Sequence, residues 1–477
     1  MLQLSFKSLL MLTAAFFSFS NSALAIPSAV IYGVTKYQTG KAFDGYTLYT
    51  PLGGATGSNL ENTVYLINMS GQIVHTWQTA NGPGLYGHLL PDGTLLYAAK
   101  TAAGEGLPKG GGGTIQEIDW DGNVIWEYQN EFLHHDVDKL PNSNILALLW
   151  EPMSVANQAA VRGGAEGTEL DGLMYADAIV ELDYQTKEVV WEWHVQDQLR
   201  PFSDYPLLEL LSRAEWTHAN SIDYLPAGNS FNGRESILMS LRQLDLIIII
   251  DKETSEIVWQ WGPGEISKQH DATLLDNGHI LVFDNGVFRS PTNSSGNEST
   301  PHSRVVEVDP QSGEVVWYYE GAAVLAHDFF SSVISGAQRL PNGNTLITEG
   351  LTGRIFEVST TWEEDAETAE AIYKNEIVWE YVSPHISPYA IGNAIFRAYR
   401  YGPAAINWPK QLAPTDTTLS QTLVAAQNPA QAAGLIIEYR GWIELFAFLF
   451  LTCFGGLIIV GFIYFNRPKA KKISGKK

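Results

Sequence analysis

Apolar and polar positions along this chain alternate with a period of two, the signature of strands with one buried face, and the alternation is organised into a unit that returns. Each unit closes on a strand ending in tryptophan: GQIVHTW at Trp77, GNVIWEY at Trp126, KEVVWEW at Trp191, SEIVWQW at Trp259, GEVVWYY at Trp317 and NEIVWEY at Trp379. Successive tryptophans stand 49 to 68 residues apart, which leaves room for four short strands and their loops. The strands before them read TVYLIN, TIQEIDW, AIVELDY, LIIIIDK, RVVEVDP and RIFEVS, joined by turns such as DWDGN and DPQSG. Asp and Gly in those turns suit tight reversals. Ahead of these come GTLLYAA, NILALLW, SILMSLR, HILVFDN and NTLITEG, mostly led in by a segment ending in a turn such as LPNSN or LPNGN. Six copies of four antiparallel strands predict an all-β fold, a six-bladed β-propeller over residues 26–406, with the tryptophans packed between blades.

Closure requires the N-terminal strand and the C-terminal segment to meet, and FRAYRYGPAAI, Phe396 to Ile406, is expected to run across or beside that junction. The inserts Glu151 to Tyr175 and Asp197 to Trp216 are too long for turns and are placed as loops over one end of the ring. The Glu and Asp of QEIDW, VELDY and VEVDP recur in repeat phase and are assigned to blade turns.

The ends of the chain carry different signals. Lys7, the apolar run Leu9 to Phe17 and Ala23-Leu24-Ala25 form a signal-peptide pattern over residues 1–25. Residues 407–441, rich in Ala, Gln, Thr and Pro, read as a linker. The uncharged run of 21 residues from Leu445 to Phe465 predicts a transmembrane helix over 442–466, and the basic tail 467–477 places its far side in the cytoplasm. The body is thus expected on the periplasmic or extracellular side of the cell membrane. Cys453, the one cysteine, falls in the apolar run, so the exported body has no disulfide and no thiolate ligand. A net charge of -23 argues against a nucleic-acid partner, which needs a basic face.

In a propeller the strand after each crossing lies nearest the axis. His135 and His270 stand five residues before Leu140 and Leu275, and His218 seven before Leu225; the odd offsets turn all three the same way. Ser335 holds the corresponding place before Leu340, whereas His88 falls out of phase. Arg242 and Arg289 end the next strands, near the mouth, where a guanidinium can hold an oxyanion. Such a cluster suits either a metal held by neutral imidazoles or anion binding with histidine as acid, base or nucleophile. Asp136 and Asp271 follow their histidines directly, so alternation turns them away, which disfavours a metal.

With WTHANSIDY and SILMSLR, QHDATLL with FDNG and Arg289, and HSRVVEVD followed by FFSSVIS, residues 40 to 400 resemble the bacterial arylsulfotransferase family. The resemblance implies an enzyme that moves a sulfuryl group between small aromatic sulfate esters and phenols, without a nucleotide or other cofactor, by a ping-pong route through a sulfohistidine. It implies catalytic roles for His218, His270 and Arg289 on the sulfate ester; the phase and strand-end reading adds His135, Arg242 and Ser335, and with His302 these are the substrate-binding candidates. The resemblance places the family's nucleophilic histidine in the strand that is NTLITEG here, where Thr348, Glu349 and Gly350 stand; His327, in LAHDFFSS, and His302, in PHSRVVEV, are the nearby candidates to replace it, His327 from just ahead of an axial strand. The family's cysteine pair is absent. Two other readings stay open at this point: a binding propeller that has kept the anion pocket and lost the chemistry, and a metal-dependent hydrolase of propeller type.

Overall fold

Each apolar run becomes a strand, and each turn led by Asp or Asn doubles the chain back on itself. The computed structural model describes residues 32–52, 62–104, 106–108, 110–289, 302–321, 329–364, 371–385, 393–410 and 412–413. Among these, six antiparallel sheets follow one another as blades, so the chain is an all-β six-bladed propeller. From the axis outward, blade 2 runs Pro83–Leu89, Leu95–Lys100, Gly113–Ile118, Val124–Gln129, and blade 3 runs Leu133–Lys139, Ile145–Pro152, Tyr175–Leu182, Val189–His194. Blade 4 is Ala219–Leu225, Ser236–Leu241, Leu246–Asp251, Ile257–Trp261, and blade 5 is His270–Leu274, Ile280–Asp284, Arg304–Val308, Val315–Tyr319.

Closure uses both ends of the ring. Ile395–Tyr401 enters blade 1 as its innermost strand, ahead of Tyr46–Pro51, Thr63–Ile67 and Ile73–Gln78. Gly33–Tyr37 adds a fifth, outermost strand to blade 6, beyond Gly336–Arg339, Thr345–Glu349, Arg354–Glu364 and Ala371–Val382. The segment expected at the junction therefore does more than cross it, since it puts Phe396 and Arg397 at the centre of the ring and Arg400 between the last blade and the first.

Inner strands have one edge without a sheet neighbour, and buried N–H groups there need partners. Side chains of the adjoining blade supply them. Asp136 Oδ2 accepts from Ile222 N at 2.9 Å, Asp223 Oδ2 from Leu274 N at 2.8 Å, Asp271 Oδ2 from Ala337 N at 2.9 Å and Gln338 Oε1 from Arg400 N at 2.7 Å, while Tyr401 Oη accepts from Leu89 N at 2.9 Å.

Tryptophans join the outer parts of the blades. The indole N–H of Trp77 donates to Asp119 O, that of Trp126 to Tyr184 O, that of Trp259 to Pro310 O and that of Trp379 to Met69 O. In blade 3 the joining indole is Trp193, which donates to Ser255 O at 3.0 Å, while Trp191 lies half-buried beneath the Lys252 ammonium. Residues two apart on a strand share a face, so either indole looks toward blade 4; the one nearer the following insert is drawn into the core. Of the repeated acids, Asp119, Asp183, Asp251 and Asp309 cap the turns, accepting N–H groups two to four residues on. The repeated glutamates instead pair across blades, Glu117 with Lys139, Glu181 with Lys252 and Glu307 with Arg339.

Trp379 is fully buried where the last blade meets the first, with Arg400 stacked 4.2 Å from its ring centroid. Trp379→Ala is expected to cost roughly 3–5 kcal/mol of unfolding free energy in a urea titration; a loss under about 1 kcal/mol would show that closure does not depend on it.

The two inserts form a lobe beside one end of the ring. It contains the helices Val155–Ala160 and Val195–Gln198 and a parallel pairing of Gly163–Ala165 with Leu207–Ser212. Met153, Val161, Met174, Leu199, Phe202 and Trp216 continue the core of blades 3 and 4 into it. Among the described residues no helix is long and apolar enough to cross a membrane. The expected signal segment and transmembrane helix lie outside the described residues, as does His327.

Candidate functional site

The inner strands do not begin regularly. His135 (φ 47°), His218 (φ 51°), Lys268 (φ 59°), Asp271 (φ 57°), Ile334 (φ 56°) and Ser335 (φ 93°) all occupy the left-handed region at the starts of four neighbouring inner strands. Each such non-glycine residue costs on the order of 1–3 kcal/mol, and clusters of them mark sites where the fold imposes a geometry. Register shifts occur at the same places, between Ala147 and Leu148 opposite His134, between Ala219 and Ser221, and between His270 and Thr273. These bulges break strict alternation. Asp136 and Asp271, expected to face away, turn to the channel as well, because an inserted residue re-aims its successor.

Both aspartates grip Arg397. Its Nη1 lies 3.0 Å from Asp136 Oδ2, its Nε 3.1 Å from Asp271 Oδ1, and its Nη2 donates to Asn220 O at 2.6 Å. The guanidinium lies against the rings of both Tyr86 and Phe396, and the Tyr86 hydroxyl donates to Asp136. One side chain from blade 1 thus ties together blades 2, 3, 4 and 5. His88, out of phase by alternation, lies near this hub with its ring 6.1 Å from that of Tyr86, and burial pushes its pKa down to about 4.

Beside the hub, at the end of the channel where the bulges lie, is a layer of imidazoles. His135 and His218 have ring centroids 4.5 Å apart, and Phe396 lies 6.2 Å from His135 and 6.1 Å from His270. His218 Nδ1 stands 2.8 Å from Glu215 Oε2, at ion-pair distance though not aligned as a hydrogen bond. Burial works to raise the Glu215 pKa, but the charges of His218 and Arg242 outweigh it and hold the carboxyl low. His135 Nδ1 lies 2.9 Å from His134 Nδ1, and the His134 ring is stacked on Trp150 at 4.1 Å. Asp177, fully buried, reaches 3.2 Å from His134 Nε2, again without hydrogen-bond alignment, and accepts from Ala219 N and the Thr217 hydroxyl.

His270 donates from Nδ1 to Asn285 Oδ1 at 2.7 Å, and its Nε2 accepts from Ile334 N at 3.2 Å. Asn285 gives its amide protons to Ser331 O and Ile334 O, so its oxygen must face the imidazole. Burial, reinforced by neighbouring positive charge, holds His135 and His270 well below the ordinary histidine range, so both are neutral near pH 7. Arg242 ends its strand beside them, with its N–H bonded to His218 O at 3.1 Å. Burial is the main cause of a lowered Arg242 pKa, and its charge acts on His270 and Glu215. Its guanidinium makes no hydrogen bond or ion pair with any described residue.

Several expected residues are employed elsewhere. Arg289 does not bond to any of the three imidazoles: its Nη2 donates to Asp284 and its Nη1 lies 2.9 Å from His302 Nε2. Asp284 is fully buried and must be neutralised, and it takes both Arg289 and Arg304. Ser335 lies at the mouth, but its hydroxyl accepts from Gly350 N at 2.9 Å. Glu349, in the strand where the resemblance leads one to expect a nucleophile, is paired with Arg354 at 3.1 Å. Residue-level reading missed His134, Asp177, Glu215, Asn285 and Arg397. The doublet His134-His135, the charge inside the apolar strand YADAIVEL and the glutamate three before His218 were the available signals. Among the described residues no group of three or more His, Cys, Asp or Glu could hold a metal ion.

Deeper along the inner strands, burial and the charge of Asp136 push the Asp138 pKa up to about 7. Burial, with lesser help from Asp138, Asp271 and Asp136, pushes Asp223 to about 8. A carboxyl whose folded pKa is raised contributes stability that is complete below the ordinary carboxylate range and is lost as pH rises through the folded value. Asp223→Asn, which imitates the protonated acid, is therefore expected to compare better with the parent at about pH 9 than at about pH 5 in urea unfolding. A difference that is constant or grows with pH would contradict the assignment.

One mouth of the six-bladed ring thus carries three imidazoles and the Arg242 guanidinium, which is unpaired among the described residues. Residues 88–368, more than half of the chain, match the family model described as Arylsulfotransferase (ASST), and the chain belongs to that family. No curated protein matches the chain. Among solved structures, a protein of unknown function from Bacteroides caccae is 13% identical with a TM-score of 0.40, over 75% of this chain and 98% of its own. A catalytically inactive virginiamycin B lyase from Staphylococcus aureus, solved with quinupristin, is 11% identical with a TM-score of 0.38, over 73% of this chain and 89% of its own. Neither likeness is close enough to speak to function.

Proposed function

We propose that the protein transfers a sulfuryl group from an aryl sulfate ester to a phenol in two half-reactions, through a sulfohistidine. The observation that carries this reading is the unpaired Arg242 guanidinium beside His218 and His270 in a propeller of the arylsulfotransferase family. Sulfuryl transfer develops charge on three equatorial oxygens, and fixed donors in a site shielded from water stabilise that charge most. Arg242 and His218 serve as those donors, and His218 with Glu215 carries the proton to the departing phenolate. His270, locked by Asn285 and Ile334, shapes the floor. Arg289, held on Asp284, and His302, which contacts Arg289, stand in reserve and join the site only if substrate draws Arg289 away from that carboxylate. The ring is exported by the segment 1–25 and tethered by a helix over 442–466, so that it works on the outer side of the membrane.

Release of nitrophenolate from p-nitrophenyl sulfate tests the reading. Release accelerated by a phenol acceptor and lost in His218→Ala is expected. Absence of release in the parent protein, or full release in the variant, would overturn it.

A further inference from the structure

We infer that His135 is the nucleophile, attacking sulfur through Nε2, and that Asp177 and His134 are positioning residues that fix the state of its ring. The inference rests on the sulfuryl-transfer reading above and names the group that reading leaves open.

Elimination within the cluster points to it. His270 has both nitrogens committed, with Nδ1–H on Asn285 and the Nε2 lone pair on Ile334 N–H. His218 faces Glu215 through Nδ1, the arrangement of a proton carrier. His134 has a side chain of 0% exposure, is flat against Trp150, and lies with Nδ1 on His135 and Nε2 at 3.2 Å from the Asp177 carboxylate, out of reach of a substrate. His135 and His218 each leave Nε2 without a partner among the described residues; the Glu215 carboxylate behind His218 suits it to carrying the proton, which leaves His135 for the sulfur.

The tautomer follows from the neighbours. The two Nδ1 atoms of His134 and His135, 2.9 Å apart, must share a single proton. The buried Asp177 carboxylate, 3.2 Å from His134 Nε2, favours a proton there, which leaves the His134 Nδ1 lone pair facing His135. His135 therefore carries its proton on Nδ1 and presents a lone pair on Nε2. Burial and the surrounding positive charge keep it in that neutral form.

Gly110 holds the ring from the side. At φ 90° it approaches so closely that a Cβ there would stand 1.9 Å from His135 Cε1. Its carbonyl accepts the His135 backbone N–H at 3.1 Å.

In the first half-reaction the Nε2 lone pair forms the N–S bond while the bond from sulfur to the aryl oxygen breaks. The phenolate leaves with its electron pair and takes a proton from His218. The sulfated ring would be cationic; its Nδ1 proton is shared with His134, and the Asp177 carboxylate offsets the charge. In the second, a phenol oxygen gives its proton to His218 and attacks sulfur, the N–S bond breaks, and the Nε2 lone pair is restored.

The test is to mix the protein with p-nitrophenyl sulfate without acceptor, quench in alkali and map the sulfo group by peptide fragmentation. A stoichiometric burst of nitrophenolate with the group on His135 is expected. His135→Ala should lose the burst, and added imidazole should restore nitrophenolate release by taking the sulfuryl group itself. Asp177→Asn should lower kcat roughly 10²- to 10⁴-fold with KM little changed, a split that a merely structural role would not give. A sulfo group on His218, His270 or any other residue, or a full burst in His135→Ala, overturns the assignment of His135 while leaving sulfuryl transfer intact. A parent protein with neither burst nor acceptor-dependent release overturns both.

Discussion

Arg397→Met is expected to lower the thermal midpoint by roughly 5–10 °C. Arg397 is 3% exposed, and its removal leaves two buried carboxylates, Asp136 and Asp271, without their cation. Breaking a buried pair from one side costs about 3–5 kcal/mol, because the remaining charge has nothing to offset its desolvation. Methionine keeps the packing against Tyr86 and Phe396, so the loss reads the charge rather than a cavity. The deficit should narrow as pH falls. Burial already raises the Asp271 pKa while Arg397 pulls it back, so without the cation Asp271 protonates more readily. Thermal melts at about pH 7 and about pH 5 give both numbers. A midpoint unchanged at neutral pH would show that the hub is not what holds the inner strands.

Arg242→Ala has the opposite profile. Its guanidinium bonds to no described residue, so unfolding free energy should change by less than about 1 kcal/mol. Activity on an aryl sulfate should nonetheless fall about 10²- to 10³-fold in kcat, the loss found when one fixed donor to a developing oxyanion is removed. Arg242→Lys should recover part of it, since an ammonium supplies charge without the paired donors of a guanidinium. If kcat stays within about threefold of the parent, Arg242 is a bystander and the donor set must be sought elsewhere.

The fold was legible because repetition amplifies a weak signal. One strand ending in VVWEW says little, but six such strands with Asp-led turns leave few alternatives to a ring. The site was legible in part. Offsets from the LP turns brought His135, His218 and His270 to one mouth, and Arg242 with them. What alternation could not supply was the effect of the bulges, since a positive φ at His135 or Asp271 is invisible in the residue letters and re-aims Asp136 and Asp271 onto Arg397. Arg289 illustrates a second limit. Its place in the chain resembles that of a family residue, yet the buried Asp284 beside it holds its guanidinium in this structure. Nor could the chain alone tell that two adjacent histidines part company, one stacked on Trp150 and one set beside His218. Trp191 and Trp193 make the same point for packing, because residues two apart share a face and only the surroundings choose between them.

The account stands most directly on the fate of the sulfuryl group. An aryl sulfate carrying labelled sulfur, incubated with the protein and an excess of a second phenol, should deliver the label to that phenol as its sulfate ester, with little appearing as free sulfate. Label that stays on the donor, or that appears only as inorganic sulfate, would contradict it.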